Sequence, residues 1–320
     1  MPLYSSPRYR AAHQGYATYK AQTGQLVAAT ATTDPTLQTG VTTWIGPCPM
    51  PAAQRNESWR PLESIGQSRD MAQLPGRRER DFRTRIDIAD GTFLDYAIRD
   101  RSDPDKVGTV KGLQLLTLEA GTFGAYGDAY AFQYIDSLMN TIAFSFAENQ
   151  NVTADVNLWC MASLKQSTPI SAITVPDSDV LIWSHSSVTI DGTDYHNILS
   201  RVSVNINNNL QRQGMRQQYA AIGGTEPEIS RGCYAILPTL EKLQISYGLH
   251  DKLPDELLDS DDWGAVTLRA EQPGGGKYVQ IVIDQNYLNS FSQEQAAANG
   301  LLTFGAQTAS QAIAITTGTT

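Results

Sequence analysis

Side chains that carry out enzyme chemistry are few and scattered in this sequence. The four histidines are His13, His185, His196 and His250, and none lies in an HExxH motif or at metal-ligand spacing from a cysteine. His185 and His196 could meet across a hairpin, but ordinary polar positions on strands are the simpler explanation. The histidines therefore indicate neither a metal site nor a general base.

The glycine-rich and acidic stretches also fail as ligand-binding motifs. PGGGK at 273–277 lacks the first glycine of a phosphate-binding loop, and Tyr278 stands where Ser or Thr would bind magnesium. The acidic runs DRSDPD (100–105) and DSDD (259–262) lack the ligand order of a calcium loop. No GxSxG motif occurs. We therefore expect no enzyme activity, no cofactor and no metal, and we interpret PGGGK as a turn between two strands.

One basic run stands out against an acidic chain. Its members are Arg77, Arg78, Arg80, Arg83 and Arg85. Nucleic-acid contact is one interpretation, but acidic residues interrupt the run and aromatic residues hardly interleave it. We expect these arginines to contact the acidic surface of a neighbouring copy of the chain.

Composition narrows the class of protein. Charged residues make up 18% of the 320 residues, below the roughly 25% of typical soluble domains, and neutral polar residues take their place. The formal net charge of −9 opposes general binding to DNA or to anionic membranes. The three cysteines, Cys48, Cys160 and Cys233, form no CxxC pair, which favours buried thiols and a reducing compartment. The N-terminal sequence lacks a signal-peptide pattern, and no apolar run is long enough to span a membrane.

Short alternating segments dominate the chain after about residue 80 and predict antiparallel strands. The hairpin over 138–159 puts Ile142, Phe144 and Phe146 on one face and small or polar residues on the other. Further strands are predicted over 82–88 and 93–98 around an Asp-Gly turn, and over 113–120, 240–248 and both sides of 273–277. The last segment, 301–319, is predicted to close the chain as a strand pair. Short helices are predicted within 252–263 and 289–300.

These patterns predict a mainly β protein, an antiparallel sandwich or barrel with one or two short helices. Residues 1–75 are rich in Ala, Thr, Gln, Pro and Gly, and we expect them to form a long N-terminal arm with little core of its own. Residues 76–320 would then form the β domain. A weak similarity of pattern between SLMNTIAFSF (137–146) and SRVSVNINNN (200–209) allows two modules, about 80–175 and 176–320.

The segment LSRVSVNINNNLQRQ (199–213) has an unusual surface for an exposed strand. Val202, Val204 and Ile206 share one face, whereas Ser203 and Asn205 lie on the other. Exposed strands normally carry Lys or Glu, which keep proteins apart. A small neutral face suits the wall of a water-filled space, since without cations it has little affinity for phosphates. The asparagines at 207–209 would supply the turn.

At these residues the chain resembles the tail tube proteins of long-tailed bacteriophages. The resemblance lies in FQYIDSLMNTIAFSFAENQNVTADVNLW (132–159), in YHNILSRVSVNINNNLQRQ (195–213) with its Asn-Asn-Leu at 208–210, and in CYAILPTLEKLQISY (233–247). It covers about residues 80–320. It implies a virion protein, assembled in the host cytoplasm, whose copies form stacked rings with a common inner β-barrel.

The resemblance also implies partners and an inner wall. The hollow tube would hold the tape-measure protein, pass DNA during ejection, and contact tail terminator and baseplate or tip proteins, with no membrane involved. Rings of six copies are usual in the family, and three copies would suffice if the chain is internally duplicated. Carried to this sequence, the candidates for residues facing the bore are Thr141, Ser145, Thr153, Asp155, Asn157, Ser203 and Asn205.

Two other classes of protein remain open at this stage. A tail hub or a capsid decoration protein would also be β-rich and acidic. A carbohydrate-binding β-sandwich would need exposed aromatic side chains, for which Trp159 and Trp183 are the candidates.

Overall fold

The computed structural model describes most of the chain in sixteen segments. These are residues 15–26, 36–49, 52–62, 72–98, 113–122, 130–166, 173, 179–215, 218–219, 228–229, 233–237, 242–251, 253–272, 276–295, 302–310 and 312–319.

Strands make up nearly all of its regular structure. The first ten are β1 (Gly15–Ala21), β2 (Thr43–Trp44), β3 (Ala52–Leu62), β4 (Ala72–Asp87), β5 (Leu116–Thr122), β6 (Tyr130–Ala147), β7 (Thr153–Gln166), β8 (Ser186–Ile190), β9 (Thr193–Asp194) and β10 (Leu199–Asn207). The next ten are β11 (Gln211–Met215), β12 (Gln218–Tyr219), β13 (Glu228–Ile229), β14 (Cys233–Leu237), β15 (Lys242–Leu249), β16 (Val266–Glu271), β17 (Lys277–Asp284), β18 (Tyr287–Gln295), β19 (Leu302–Ser310) and β20 (Ala312–Thr319). The described helices are α1 (Asp255–Leu258) and 3₁₀ turns at Leu94–Ala97, Trp183–His185 and His196–Ile198.

Two antiparallel sheets carry the fold. The large sheet has the order β18-β19-β15-β10-β6 and continues from β6 through β7 and β4 to β3. The N-terminal half of β6 pairs with β5, which leads to β1 and β2. The small sheet has the order β20-β17-β16-β8-β9. The predicted mainly β, antiparallel sandwich class is therefore confirmed.

The core lies between the two sheets because each presents one apolar face. In the large sheet Phe144 lies opposite Val204 on β10 and Ala154 on β7, and none of the three is exposed. They belong to the same buried cluster as Leu268 and Ile281 of the small sheet. Alternation with a period of two is what gives each sheet this single buried face.

Strand β6 pairs with two different strands along the same edge, one with each half. It pairs with β10 over residues 141–147 and with β5 over 130–137, and its register with β7 shifts between Met139 and Thr141. Asp136, which has a positive φ of 51°, lies fully buried at this bend. Its carboxylate accepts a hydrogen bond from the backbone N–H of Leu26 at 2.9 Å. This bond supplies one of the hydrogen-bond donors that a buried carboxylate needs.

An ion pair joins the loop after β4 to the first residue of β17 in the small sheet. Lys277 Nζ lies 2.9 Å from Asp90 Oδ2. Partial burial acts to raise the pKa of Asp90, but hydrogen bonds from Lys277 and Thr92 outweigh it and lower the pKa. Beside this pair Gly91 is packed so closely that a Cβ atom there would lie 2.4 Å from Thr317 Cγ2. The position therefore requires glycine.

The three consecutive asparagines end β10 with separate roles. Asn208 is fully buried, and its amide donates to the carbonyls of Ala97 at 3.0 Å and Met139 at 2.9 Å. Asn209 is exposed with a φ of +46°, as expected for a turn residue. Asn207 Oδ1 accepts from the N–H of Asn209 at 2.8 Å. The turn is confirmed, and Asn208 additionally ties it to β6 and to the 3₁₀ turn at 94–97.

Several predicted elements are confirmed. The hairpin over 138–159 is present as β6 and β7, longer at both ends, and β16 and β17 pair across 272–276 as predicted for the PGGGK turn. Residues 273–275 of that turn lie outside the described residues. The strand over 113–120 is β5, and α1 lies within the predicted 252–263.

Three predicted elements are wrong, and in each case pairing with a strand distant in the sequence, or the lack of it, decided the structure. Residues 93–98 contain a 3₁₀ turn, because β4 pairs with β7 and β3 and leaves no edge for them. Residues 289–295, predicted as helix, belong to β18, which pairs with β19; residues 296–300 lie outside the described part. The segment 301–319 does form two strands, but β19 pairs in the large sheet and β20 in the small one.

Part of the predicted N-terminal arm belongs to the sheet. Strand β1 pairs with β5 over its whole length, and Ala17, Tyr19 and Ile45 are buried in the main core. Residues 1–14 lie outside the described residues. The division of the chain at residue 75 stays a prediction.

Replacing Asn208 with alanine should destabilise the subunit strongly. Two buried carbonyls would each lose a donor, so we expect the free energy of unfolding to fall by about 2–4 kcal/mol. Asn209→Gly is the matched control, since glycine adopts positive φ without strain and the change should be under about 1 kcal/mol. Urea unfolding of the unassembled subunit measures both. Equal effects of the two variants would contradict the assigned roles.

Cys160 should resist alkylation in the folded protein. Burial raises the pKa of its thiol to about 12, although a hydrogen bond with Ser137 opposes this shift. At pH 8 roughly one molecule in ten thousand would carry the reactive thiolate. Iodoacetamide labelling followed by peptide mass spectrometry should leave Cys160 unmodified until urea is added. Rapid labelling without denaturant would show that the buried position is incorrect.

Candidate functional site

Small polar side chains from five strands lie side by side on the face of the large sheet that points away from the core. Cross-strand partners in an antiparallel sheet share a face, so the pairing defines this surface directly. We name it the polar face, and its three rows are Thr153-Ser145-Ser203-Ser246-Gln307, Asp155-Ala143-Asn205-Gln244-Ala309 and Asn157-Thr141-Asn207.

The polar face is the necessary counterpart of the core. Along β10 the side chains of Val202, Val204 and Ile206 are buried, whereas those of Ser203 and Asn205 alternate with them on the other side. The same alternation holds in β6 and β15. Three adjacent strands therefore expose the same kind of surface, and their pairing aligns it into rows.

All seven predicted wall residues lie on this polar face. Asp155 and Asn205 are exposed, and the side chains of Thr141, Ser145, Asn157 and Ser203 are half-buried among their neighbours. Thr153 differs, since it is only 3% exposed. The guanidinium of Arg85 donates to Thr153 Oγ1 at 3.2 Å and covers it. Whether this face borders a bore stays a prediction at this point.

Six members of the face are not among the seven predicted residues, and two of these, Ala143 and Asn207, lie on β6 and β10 beside predicted members. Gln244 and Ser246 come from β15, and Gln307 and Ala309 come from β19. The alternation of LQISYG could have identified Gln244 and Ser246. After Phe304, the buried and exposed positions of β19 in AQTAS (306–310) are all small or polar, so this part of the strand carries little signal.

Charge on the polar face is concentrated at its margins. Arg83 and Arg85 on β4, Arg201 at one end of β10 and Lys242 at the start of β15 are exposed. The middle strands, β6 and β10, place only small neutral side chains between these margins along the three rows. The interpretation of a wall without cations therefore applies to the centre of the face and not to its borders.

The predicted run of arginines is divided between different environments. Arg80 turns to β7, where it donates to Ser163 Oγ at 2.9 Å and to the carbonyl of Met161 at 3.0 Å. Arg83 and Arg85 are exposed on the polar-face side of β4. The side chains of Arg77 and Arg78 lie outside the described part of the structure. Their predicted role as subunit contacts stays a prediction.

A buried arginine closes one end of the polar face. Arg212 on β11 forms ion pairs with Asp81 and, at 2.7 Å, with Glu79, both on β4. Its guanidinium also stacks over the ring of Trp159 at 4.0 Å. The side chains of Arg212 and Asp81 are only 8% and 7% exposed, so the pair is desolvated and replacement of one partner would leave the other charge buried. This contact holds the β11–β14 hairpin against β4 and β7.

The two tryptophans considered for sugar binding are engaged inside the fold. Trp159 lies under Arg212, as described above. Trp183 is 6% exposed and stacks on His196 with ring centroids 4.4 Å apart. His196 therefore meets Trp183 rather than His185. Neither tryptophan offers the flat exposed ring that a carbohydrate-binding face requires.

No helix in the described residues has the length and apolar character needed to cross a membrane.

Comparison with known proteins identifies the family. A search of the curated proteins returned no match. A family model described as phage tail tube protein matches residues 15–234, more than two thirds of the chain, and its span includes β6, β7 and β10 of the polar face. Proteins of this family are structural components of the virion tail. The chain therefore belongs to the phage tail tube protein family.

Proposed function

We propose that copies of this chain form rings that stack into the hollow tail tube, with the polar face lining the bore. The observation that supports this proposal is the alignment of small, mainly polar side chains in rows on one face of the large sheet, one of which, Thr153-Ser145-Ser203-Ser246-Gln307, is polar across five strands. A face of this size whose only apolar members in these rows are Ala143 and Ala309 is poorly suited to packing against a second core. It suits contact with water over its whole width.

The chemistry of the face fits the passage of DNA. Proteins hold nucleic acid chiefly through Lys and Arg, which bind phosphates and release counterions. Ser, Thr and Asn at the centre of the face order water and offer phosphates no cation. The overall charge of −9 adds a weak repulsion. DNA can therefore slide along such a wall without stopping.

Ring formation follows from the open ends of the large sheet. Both candidate modules supply wall strands, since β6 and β7 come from 80–175 and β10, β15 and β19 come from 176–320. Closing the sheet between copies removes its edges and makes a barrel. A ring of six copies, or of three if the modules are true duplicates, would complete it.

The proposed tube implies which proteins this chain would contact, both in its bore and at its two ends. Its bore would hold the tape-measure protein before ejection and conduct DNA during ejection. Its two ends would contact the tail terminator and the baseplate or tip proteins. Assembly would take place in the host cytoplasm, and the finished protein would be part of the virion.

The assembled particle should show a central channel. Cryo-electron microscopy of virion tails containing this protein, averaged in end-on and side views, should place Ser203 and Asn205 at the channel surface. The purified chain at high concentration should also give rings or filaments in negative stain. A tail map in which these two residues are packed against other protein would refute the proposed function.

Adding cations to the wall should slow DNA ejection. Asn205→Lys places a positive charge at an exposed wall position in every copy, so we expect ejection to slow roughly tenfold at low salt and to recover as salt rises. Triggered ejection in vitro, followed by a dye that binds released DNA, gives the rate.

Two control variants separate charge from structure. Thr316→Lys places the same charge at an exposed position on the outward face of β20, and Asn205→Asp changes the charge in the opposite direction. Both should eject at the rate of the unmodified virion. An unchanged rate for Asn205→Lys in virions that assemble normally would contradict the role of the face.

A further inference from the structure

Two cavities lie beside the loop that follows β4, and Asp90 and Thr92 line both of them. The first has a volume of about 300 Å³ and extends from this loop to the short strand β2. The second has a volume of about 250 Å³ and extends from the loop to strands β17 and β20 of the small sheet. These volumes are near the lower limit for pockets that hold organic ligands. We name the two cavities together the Asp90 site.

Bare backbone forms part of the walls of the Asp90 site, because glycines line both cavities. Gly46 in the first cavity has a φ of +135°, and a Cβ atom there would lie 2.7 Å from Ile86 Cγ2. Gly318 in the second cavity lies within β20, and a Cβ atom there would lie 2.9 Å from Tyr278 Cε1. A glycine inside a strand often marks a place where a ligand approaches the backbone closely.

The loop between the two cavities is held in one conformation. Asp90 Oδ1 accepts hydrogen bonds from the backbone N–H of Thr92, at 3.0 Å, and from its hydroxyl. The next residue, Phe93, packs against Tyr19 with ring centroids 4.9 Å apart. The site is therefore preorganised, which lowers the entropic cost of binding a ligand.

One ion pair carries all the formal charge among the described residues that line the site. Lys277 Nζ lies 2.9 Å from Asp90 Oδ2, and the two side chains are 33% and 31% exposed. Asp90 is the one hydrogen-bond partner of the Lys277 ammonium in the described chain, which leaves N–H donors available beside a carboxylate. The pair has no net charge, so it attracts an anion weakly. A hydroxyl group, in contrast, donates and accepts, and it can bond to both members.

One aromatic ring and several hydroxyl groups complete the lining. Trp44 on β2 is partly exposed in the first cavity, unlike the covered rings of Trp159 and Trp183. Within the residues that the structure describes, no hydrogen bond engages the indole N–H of Trp44 or the hydroxyls of Tyr278 and Thr317. The site thus presents a ring face, a charged pair without net charge, and hydroxyl groups.

We infer that the Asp90 site binds a neutral saccharide of one or two rings, with a pyranose ring against Trp44 and sugar hydroxyls at the Lys277–Asp90 pair. The apolar C–H face of a sugar packs on an aromatic ring, and its hydroxyls form charge-assisted hydrogen bonds. A phosphate or carboxylate ligand would lack the first contact and would be repelled by Asp90 at the second.

The Asp90 site lies away from the polar face. Lys277, Tyr278 and Thr317 belong to the small sheet, and the core separates that sheet from the polar face of the large one. In the proposed tube the polar face lines the bore, so this part of the inference rests on the proposed function and places the site on the outer layer. Many copies along one tail would then convert a weak affinity per site into firm attachment to a surface that repeats the sugar.

Fluorine NMR of the full-length chain labelled with 5-fluorotryptophan tests the binding site directly. Trp44→Phe and Trp183→Phe variants assign these two signals among the five tryptophans. The chain is titrated with glucose, galactose, mannose, N-acetylglucosamine, cellobiose and maltose. At least one of these sugars should shift the Trp44 signal with a Kd of about 1 mM and leave the Trp183 signal unchanged. No shift of the Trp44 signal with any of them would overturn the inference.

Variants at the two contacts should weaken binding, as measured by saturation-transfer NMR of the sugar. Trp44→Ala removes the ring face and Lys277→Met removes the donors, so we expect each to raise the Kd about tenfold. Trp44→Phe keeps a ring and should stay within about threefold. Tyr287→Ala is the matched control, because it removes an exposed aromatic side chain on β18, outside the site. Unchanged affinity of the folded Lys277→Met and Trp44→Ala variants, as judged by circular dichroism, would contradict the assigned contacts.

Ionic strength and an acidic sugar distinguish a neutral ligand from an anion. Binding of the neutral sugar should stay constant as sodium chloride rises, since no net charge is paired. Glucuronic acid should bind no tighter than glucose. Tighter binding of glucuronic acid that weakens with salt would replace the saccharide with an anion and overturn the inference.

Virions distinguish a surface polysaccharide from a free sugar and test the outer position of the site. Agarose that carries the sugar bound by the subunit should retain virions, and virions with Lys277→Met should pass through. Binding by the isolated chain together with no retention of virions would overturn the outer position. If the chain binds the sugar but forms no tube in virions, the proposed function fails while the binding site stands.

Discussion

The alternation of side chains along a β-strand is the constraint on which this structure depends. Burying Phe144, Val204 and Ile245 between the two sheets forces Ala143, Asn205 and Gln244 onto the opposite face. A shift of one residue would put Asn205 of β10 into the core, or Phe144 and Phe146 of β6 into water. The core and the polar face are therefore two consequences of one register.

Buried polar contacts fix the position of segments that strand pairing does not fix, namely the end of β10 and the hairpin that follows it. Asn208 ties the end of β10 to Met139 and Ala97, and Arg212 ties the following hairpin to Asp81 and Trp159. Each side chain contacts two separate elements at once, so each connection has one favoured position. These anchors lie at the borders of the polar face and determine where it stops.

The distribution of charge on the large sheet fits the proposed role of the polar face. The centre of the polar face is neutral, as suits a surface past which a polyanion moves. Charge appears at the ends of the sheet, where Arg85 lies at one end and Asp262 at the other. In the tube that we propose, positive charge at the centre of the face would hold DNA, and its absence there fits a bore. The low content of charged residues in the chain agrees with a neutral centre of the polar face.

The sequence by itself determined the faces of the strands but not their neighbours. The period of two in 138–159 and 199–207 identified the core positions and all seven predicted members of the polar face, because alternation is a local property. It left Gln307 unrecognised, since the side chains around it, from Gly305 to Ser310, are all small or polar. Only the tertiary structure decided that β19 and β20 enter different sheets, that 289–295 is a strand, and that Arg212 covers Trp159. These features depend on residues distant in the chain, whose contacts no local pattern records.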